Sequence, residues 1–284
     1  MTNQEQHQLA AAALAIRMGV IEGTHSAKSG HPGGSLSAAD MFAYLYEKEL
    51  RIDPARPRWP GRDRFVLSKG HSAPALYAAL AHRGFFPAED LKTLRHIGSY
   101  LQGHPNMNSV PGVDMSTGSL GQGVSVAAGM AKAARLMGSG VNVYTMLGDG
   151  EIDEGEVWEA FMFAAHYRLD NLCVMIDLNG LQIDGATKDV MNYEPIDAKM
   201  AAFGFDVVTI DGHDFAQIER AFGIFHQNAG SGKPTCILMR TVKGKGVSFM
   251  ENNADWHGKA PNDKEYETAM QELRAQLEKL EAAQ

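Results

Sequence analysis

Gly148-Asp149-Gly150 and Asn179 are the residues of this 284-residue chain best suited to chemistry. The acid follows one apolar strand-like run, 141–147, and the amide follows another, 172–178. Asn179 comes thirty residues after Asp149, about the length of one strand–helix–strand crossover in a parallel sheet. That spacing brings the two residues to the same edge of the sheet. An acid flanked by glycines can offer its carboxylate to a divalent cation while the backbone approaches a phosphate. With the Asn179 amide and a turn carbonyl it makes a hard oxygen site for Mg²⁺ on a diphosphate. Gly-Asp-Gly alone is also an ordinary turn, and the pairing with Asn179 is what sets it apart.

Histidines offer the second kind of chemistry. His31, His71, His104 and His257 lie in loops that contain Gly or Pro, where a side chain is presented rather than buried. Several imidazoles at one site could move protons near neutral pH. His7, His82, His96, His166, His213 and His226 fall on helical or surface-like segments and read as packing or surface residues. Glu151 and Asp153 read as favourable charges at a helix N-terminus. Lys243-Gly244-Lys245-Gly246 lacks the spacing of a phosphate loop and reads as a turn lining the site.

The elements that must position these groups follow from the pattern. A helix is expected over 4–23 and another, capped by Ser35 or Ser37, to about Leu50. A short strand 64–67 precedes a helix ending at His82, and 96–118 reads as a polar loop. From Gly118 onward, helices 121–138, 154–167, 196–203 and 214–227 alternate with strands 141–147, 172–178, 206–210 and 235–240. Near-continuous apolar strands alternating with helices predict an α/β fold, a mostly parallel sheet covered on both faces. Ligands then bind at the carboxyl ends of the strands. Residues 1–260 read as one domain. Residues 261–284 read as an amphipathic helix, with Tyr266, Met270, Leu273, Leu277 and Leu280 on one stripe, packed on that domain or at an interface.

Composition excludes several classes. Hydrophobic residues make up 44% of the chain, too many for intrinsic disorder. The formal charge of −8 argues against a general nucleic-acid or anionic-membrane footprint. No apolar run approaches the length of a membrane span, and the polar N-terminus lacks a signal-peptide pattern. Cys173 and Cys236 read as buried apolar residues rather than a pair. A cytoplasmic location is expected.

The pattern from Gly148-Asp149-Gly150 to Asn179 resembles the thiamine diphosphate-binding motif, and the chain as a whole is similar to the transketolase family. Ser29-Gly30-His31-Pro32-Gly33, Leu67-Ser68-Lys69-Gly70-His71, Gly103-His104-Pro105, Gly118-Ser119-Leu120-Gly121-Gln122-Gly123 and His257-Gly258-Lys259-Ala260-Pro261 carry the likeness, in the family's order. The resemblance implies that thiamine diphosphate and Mg²⁺ (or Ca²⁺ or Mn²⁺) are the cofactors. Asp149, Asn179 and the Leu181 carbonyl then match the metal ligands, and Gly150 a backbone contact to the diphosphate. His71 and His257 are similar to histidines near the diphosphate, and His31 and His257 to those touching sugar hydroxyls. His104 matches a position near the reacting carbons. Leu120 and Ile183 resemble the apolar residues against the thiazolium ring, and Gly118 is among the cofactor contacts. Glu154 corresponds to a buried glutamate linking two cofactor sites across a dimer interface. The backbone N–H groups of Gly121-Gln122-Gly123, opening a helix, are expected to serve as diphosphate donors.

Two positions depart from the family pattern: Ser119 stands where Pro is usual, and Asn106 follows Gly-His-Pro. The residues that would serve the aminopyrimidine and the sugar phosphate are not recognisable in the chain. The expectation is therefore the N-terminal, diphosphate-binding subunit of a split transketolase. Its partner would be a separate pyrimidine-domain chain, with two copies of each subunit in a heterotetramer and sugar phosphates as substrates. The rival readings are a 1-deoxyxylulose-5-phosphate synthase-like or 2-oxo-acid-decarboxylating subunit, and a non-catalytic cofactor-binding scaffold. Helix 263–282 and the Glu154 loop are the candidate interface.

Overall fold

Strands that are apolar on both sides must be covered on both sides, and this chain supplies helices for each face. A computed structural model describes residues 1–282. Its main sheet is parallel, with β1 (Arg64–Leu67), β2 (Val143–Gly148), β3 (Leu172–Leu178), β6 (Asp206–Asp211) and β7 (Thr235–Arg240) in the order β1-β2-β3-β7-β6. Between β3 and β6 lies a small antiparallel hairpin of β4 (Leu181–Gln182) and β5 (Gly185–Ala186).

Side chains alternate across the sheet with the two-residue period of a strand. Along β3, Cys173 and Met175 join one hydrophobic layer, while Leu172, Val174, Ile176 and Leu178 join the other. The first layer is closed by α1 (Asn3–Ala27), α2 (Pro32–Ser37), α3 (Ala39–Tyr44), α4 (Ala73–His82), α9 (Phe215–Gln227) and α10 (Asp263–Ala282). The second is closed by α5 (Gln122–Leu136), α6 (Gly155–His166) and α8 (Ile196–Ala202), with the short α7 (Thr187–Val190) beside the hairpin. The chain passes from β3 to the edge strand β6 and returns to fill β7 between them. That reversal sets the loops after β3 and β7 side by side at the carboxyl ends of the strands.

Three boundaries differ from the sequence reading for local reasons. The expected helix from Ser35 to Leu50 starts earlier, at Pro32, because proline is pre-organised for the first helical position. Neither serine caps it: Ser35 Oγ donates back to the His31 carbonyl at 2.7 Å, and Ser37 Oγ to Asp177 at 2.7 Å. The helix then breaks at Ala38 and ends in a wider turn over Leu45–Glu49. Helix α1 continues past Gly23 to Ala27; Gly23 is there a packing position rather than a stop, since a Cβ would come within 3.2 Å of the Leu91 carbonyl. Its start is fixed by a reciprocal cap in which Thr2 Oγ1 accepts the Glu5 N–H and Glu5 accepts the Thr2 N–H.

Helix α10 lies along α1, with Met270 and Leu273 buried and Tyr266, Leu277 and Leu280 packed against the same layer. The His25 ring stacks on Tyr266 at 4.1 Å. The stripe is thus covered by α1 and its layer within the chain. Residues 283 and 284 of the expected C-terminal segment lie outside the described residues.

Candidate active site

The loops after β2, β3 and β7 enclose a cleft of about 220 Å³. Asp149 leaves the tip of β2, and its Oδ2 accepts the Gly180 N–H at 2.6 Å while Oδ1 accepts the Gly150 N–H at 2.9 Å. Gly180 turns the chain after β3 at φ +77°, in the left-handed region that glycine enters without strain. Asn179 Oδ1 accepts the Leu181 N–H at 3.2 Å, and its Nδ2 donates to Asp177 at 3.3 Å. Burial, and then the charge of Asp177, push the Asp149 carboxyl up to about 7.

Two lysines are buried in this acidic floor. Lys69 Nζ donates to Asp177 at 2.5 Å and to the Gly34 carbonyl at 2.9 Å. Asp177 also accepts the hydroxyls of Ser37 and Thr241. Burial pushes the Asp177 carboxyl up, but Lys69 and the two hydroxyls outweigh it and hold the group below its ordinary value. Lys243 Nζ donates to the Leu181 carbonyl at 3.0 Å and lies 3.0 Å from His257 Nδ1. Burial brings its ammonium down to about 8, against the pull of Asp149 and Asp177.

Three imidazoles meet at the mouth of the cleft. Ring centroids of His31 and His71 lie 5.3 Å apart, those of His31 and His257 5.4 Å, and those of His71 and His257 5.2 Å. Burial is the main cause that holds His31 and His257 at about 4 and His71 well below the ordinary imidazole value. Neighbouring cations add to it, so these rings are neutral at physiological pH. His104 lies further out. Tyr77 anchors its loop by donating to the carbonyls of Gln102 and His104, at 3.0 and 2.9 Å. Its ring packs on Gly118, where a Cβ would come within 2.9 Å of the His104 Cγ.

Residues 8–280 match the model of the transketolase thiamine diphosphate binding domain. The chain belongs to the transketolase family. It is 45% identical to a 6-deoxy-6-sulfo-D-fructose transketolase subunit of Clostridium sp. (strain MSTE9), over 95% of this chain and 98% of that protein. It is 43% identical to an apulose-4-phosphate transketolase subunit of Phocaeicola vulgatus, over 93% of each. The solved transketolase of Leishmania mexicana superposes with a TM-score of 0.86 at 31% identity, covering 97% of this chain and 45% of that one. The chain thus spans under half of that longer transketolase.

Within this transketolase-family chain, the cleft is lined by His71, Leu120, Asp149, Gly150, Asn179, Leu181, Ile183 and His257 among the residues expected from sequence. His31 adjoins it through the ring cluster. His104 and Gly118 pack on each other and do not line it, and Glu154 lies exposed at the start of α6. Two expectations are corrected. Glu151 is not a solvated charge at a helix end: it is buried and accepts the Ser68 hydroxyl at 2.5 Å and the Gly121 and Gly148 N–H groups at 3.0 Å. The Gly121 N–H, expected among the diphosphate donors, goes to Glu151 instead, and the next turn of α5 is tied down by the Val124 N–H donating to Ser68 Oγ. His213, read as a packing or surface residue, accepts the Val242 N–H at 2.9 Å and lies 2.7 Å from Asp40, holding the segment that carries Lys243. Sequence reading also misses Asp177 and the separate tasks of Lys69 and Lys243. For Lys69 the available signal is its place in the Leu67-Ser68-Lys69-Gly70-His71 stretch.

Proposed function

We propose that this chain is the diphosphate- and metal-binding half of a two-chain transketolase. The enzyme moves a two-carbon ketol unit from a ketose or its phosphate to an aldose or its phosphate. The observation that carries this reading is the convergence of Asp149, Asn179 and the Leu181 carbonyl with His71, His257 and Lys243 in one cleft.

The residues fit the cofactor. Asp149 is a buried carboxylate whose oxygens meet backbone N–H groups, so a divalent cation would supply the positive charge it lacks. Asn179 and the Leu181 carbonyl would complete an oxygen set suited to Mg²⁺, or to Ca²⁺ or Mn²⁺. Lys243, His71, His257 and the Gly150 backbone would hold the diphosphate. Leu120 and the 67%-exposed Ile183 would form an apolar wall. Thiamine diphosphate supplies, when bound, a carbon nucleophile that also stores the electron pair of the broken bond.

The chain's own groups then orient and exchange protons. His31 and His257 would hold sugar hydroxyls, and His104 would pass a proton at the oxygen of the reacting carbon. Neutral imidazoles suit both tasks, since each ring offers one donor and one acceptor nitrogen.

The names of the relatives as subunits support a partner chain, which would bring the groups for the aminopyrimidine and for the anionic end of the sugar. Leu136, Met137 and Met162 stand exposed on α5 and α6, in line with burial by further subunits in an assembly of two copies of each chain. Glu154 lies at the start of α6, against Gly121 at the start of α5.

The test is to purify the chain with and without a pyrimidine-domain partner, then assay two-carbon transfer and measure mass by light scattering. Transfer is expected from the complex alone. Robust transfer by the isolated 30.8 kDa chain would sink the two-chain reading. A complex that binds cofactor but cleaves no ketose would sink the enzymatic one.

A further inference from the structure

Arg95 is a non-glycine residue in the left-handed region, at φ +59°, a conformation that crowds its Cβ against the backbone. Such strain persists only where the surroundings impose it. Here the Arg95 N–H donates to the Leu101 carbonyl at 2.8 Å. Its guanidinium turns inward, with Nη1 donating to Ser29 Oγ at 2.9 Å and Nη2 lying 3.5 Å from His31 Nδ1. Gly103 makes room for it: a Cβ there would lie 2.8 Å from Nε and 2.9 Å from Cζ. The buried Nε has no hydrogen-bond partner among the described residues. A strained backbone and an unpaired buried donor are two costs, and the Ser29 contact alone does not explain them.

Chemistry gives the reason. A guanidinium has donors only, so the ring nitrogen it faces must present a lone pair. Neutral His31 then carries its proton on Nε2. That atom points away from Arg95, lying 3.8 Å from the Cβ position of Gly258. We infer that Arg95 is a positioning residue: it sets His31 as a neutral Nε2–H donor toward the sugar. This rests on the transketolase reading of the site. The charged and titratable groups that face His31 are Arg95, His71, His104, Lys243 and His257. Arg95 and Lys243 are cations that repel a second proton on His31, and the three neutral imidazoles offer no anion to attract one.

The test has two arms. In the first, long-range nitrogen–proton NMR of the full chain labelled with ¹⁵N-histidine reads the His31 tautomer and titration. The wild type should show the proton on Nε2 and a ring neutral down to about pH 4, where burial and then Arg95 hold it. Arg95→Met should mix the tautomers and raise the titration toward the ordinary imidazole value, while Arg95→Lys, keeping the cation, should hold it low. In the second, the complex with its partner is assayed. Arg95→Met should lower kcat/KM for the sugar roughly 10-fold, about what one misdirected hydrogen bond to a hydroxyl loses. Its cofactor affinity should stay within about twofold of wild type. The acid limb of its pH profile should move up, and in Arg95→Lys it should stay in place. A wild-type His31 protonated on Nδ1 would overturn the proposal even if Arg95→Met failed to fold. So would an unchanged tautomer and titration in a folded Arg95→Met. If the complex transfers no two-carbon unit, the functional reading fails, and the NMR arm still decides the role of Arg95.

Discussion

Asp177 and Asp149 are buried carboxylates on adjacent strands, Asp177 in register with Gly148 and Asp149 one residue beyond it. Asp177 is surrounded by partners on the chain: the Lys69 ammonium, two hydroxyls and the Asn179 amide. Asp149 meets the N–H groups of Gly150 and Gly180, the unfavourable charge of Asp177 and the through-space pull of Lys243, whose ammonium is bonded to the Leu181 carbonyl instead. One carboxyl is held below its ordinary value and the other is pushed up to about 7. The difference separates an acid that belongs to the fold from one that the fold leaves short of positive charge. A buried charge without a partner is costly, and a site that keeps one is prepared for a cationic ligand.

Three experiments would break or sharpen that contrast. The largest effect is expected from Asp149→Ala, which should abolish Mg²⁺-dependent thiamine diphosphate binding in the assembled enzyme. Calorimetric titration showing wild-type affinity would remove Asp149 from the metal set. Asp177→Ala should instead weaken the fold, by about 3–5 kcal/mol, because it strands the buried Lys69 ammonium. Urea denaturation of the metal-free chain checks this, and a loss below about 1 kcal/mol, the range of an exposed pair, would mean that Asp177 is not the structural partner. The smallest effect concerns pH. The folded-state value of Asp149, about 7, lies above the ordinary 3.8, so the native chain binds the extra proton between them. Its contribution to stability is present below pH 4 and is lost as pH rises to about 7. Asp149→Asn should therefore stabilise the metal-free chain by an amount that grows from pH 4 to pH 7 and then levels, reaching on the order of 2–4 kcal/mol. A difference independent of pH would refute the assignment.

Asp149 was legible because glycines flank it and Asn179 follows one crossover later, a pattern of residue types at a spacing. Asp177 was not, because it sits inside an otherwise apolar strand and its partners come from Ser37, Lys69 and Thr241, far apart in sequence. Strands 172–178 and 235–240 were legible to the residue, since burial on both faces leaves uninterrupted apolar runs. The start of the helix after His31 was not, because a serine looks like a cap, whereas the adjacent proline sets the start. Glu151 shows the same limit: its position in sequence suggests a helix-end charge, and only the folded loops show three donors meeting it. The stripe of α10 was visible as a stripe, but that α1 covers it is a property of the fold.

The backbones of Gly70 and Gly118 nearly touch: a Cβ at Gly70 would lie 2.6 Å from the Gly118 nitrogen, and one at Gly118 would strike the His104 ring. For the evolution of substrate range, that contact divides the site into a part that cannot drift and a part that can. The backbones carrying His71 and His104 admit no bulk without moving both loops together. Variation is left to side chains at their margins, such as half-buried Asn106 and exposed Ser119, where the sequence reading expects departures from the resembled pattern. Directed evolution toward other sugars should therefore find its accepted changes at these margins while the two glycines stay fixed.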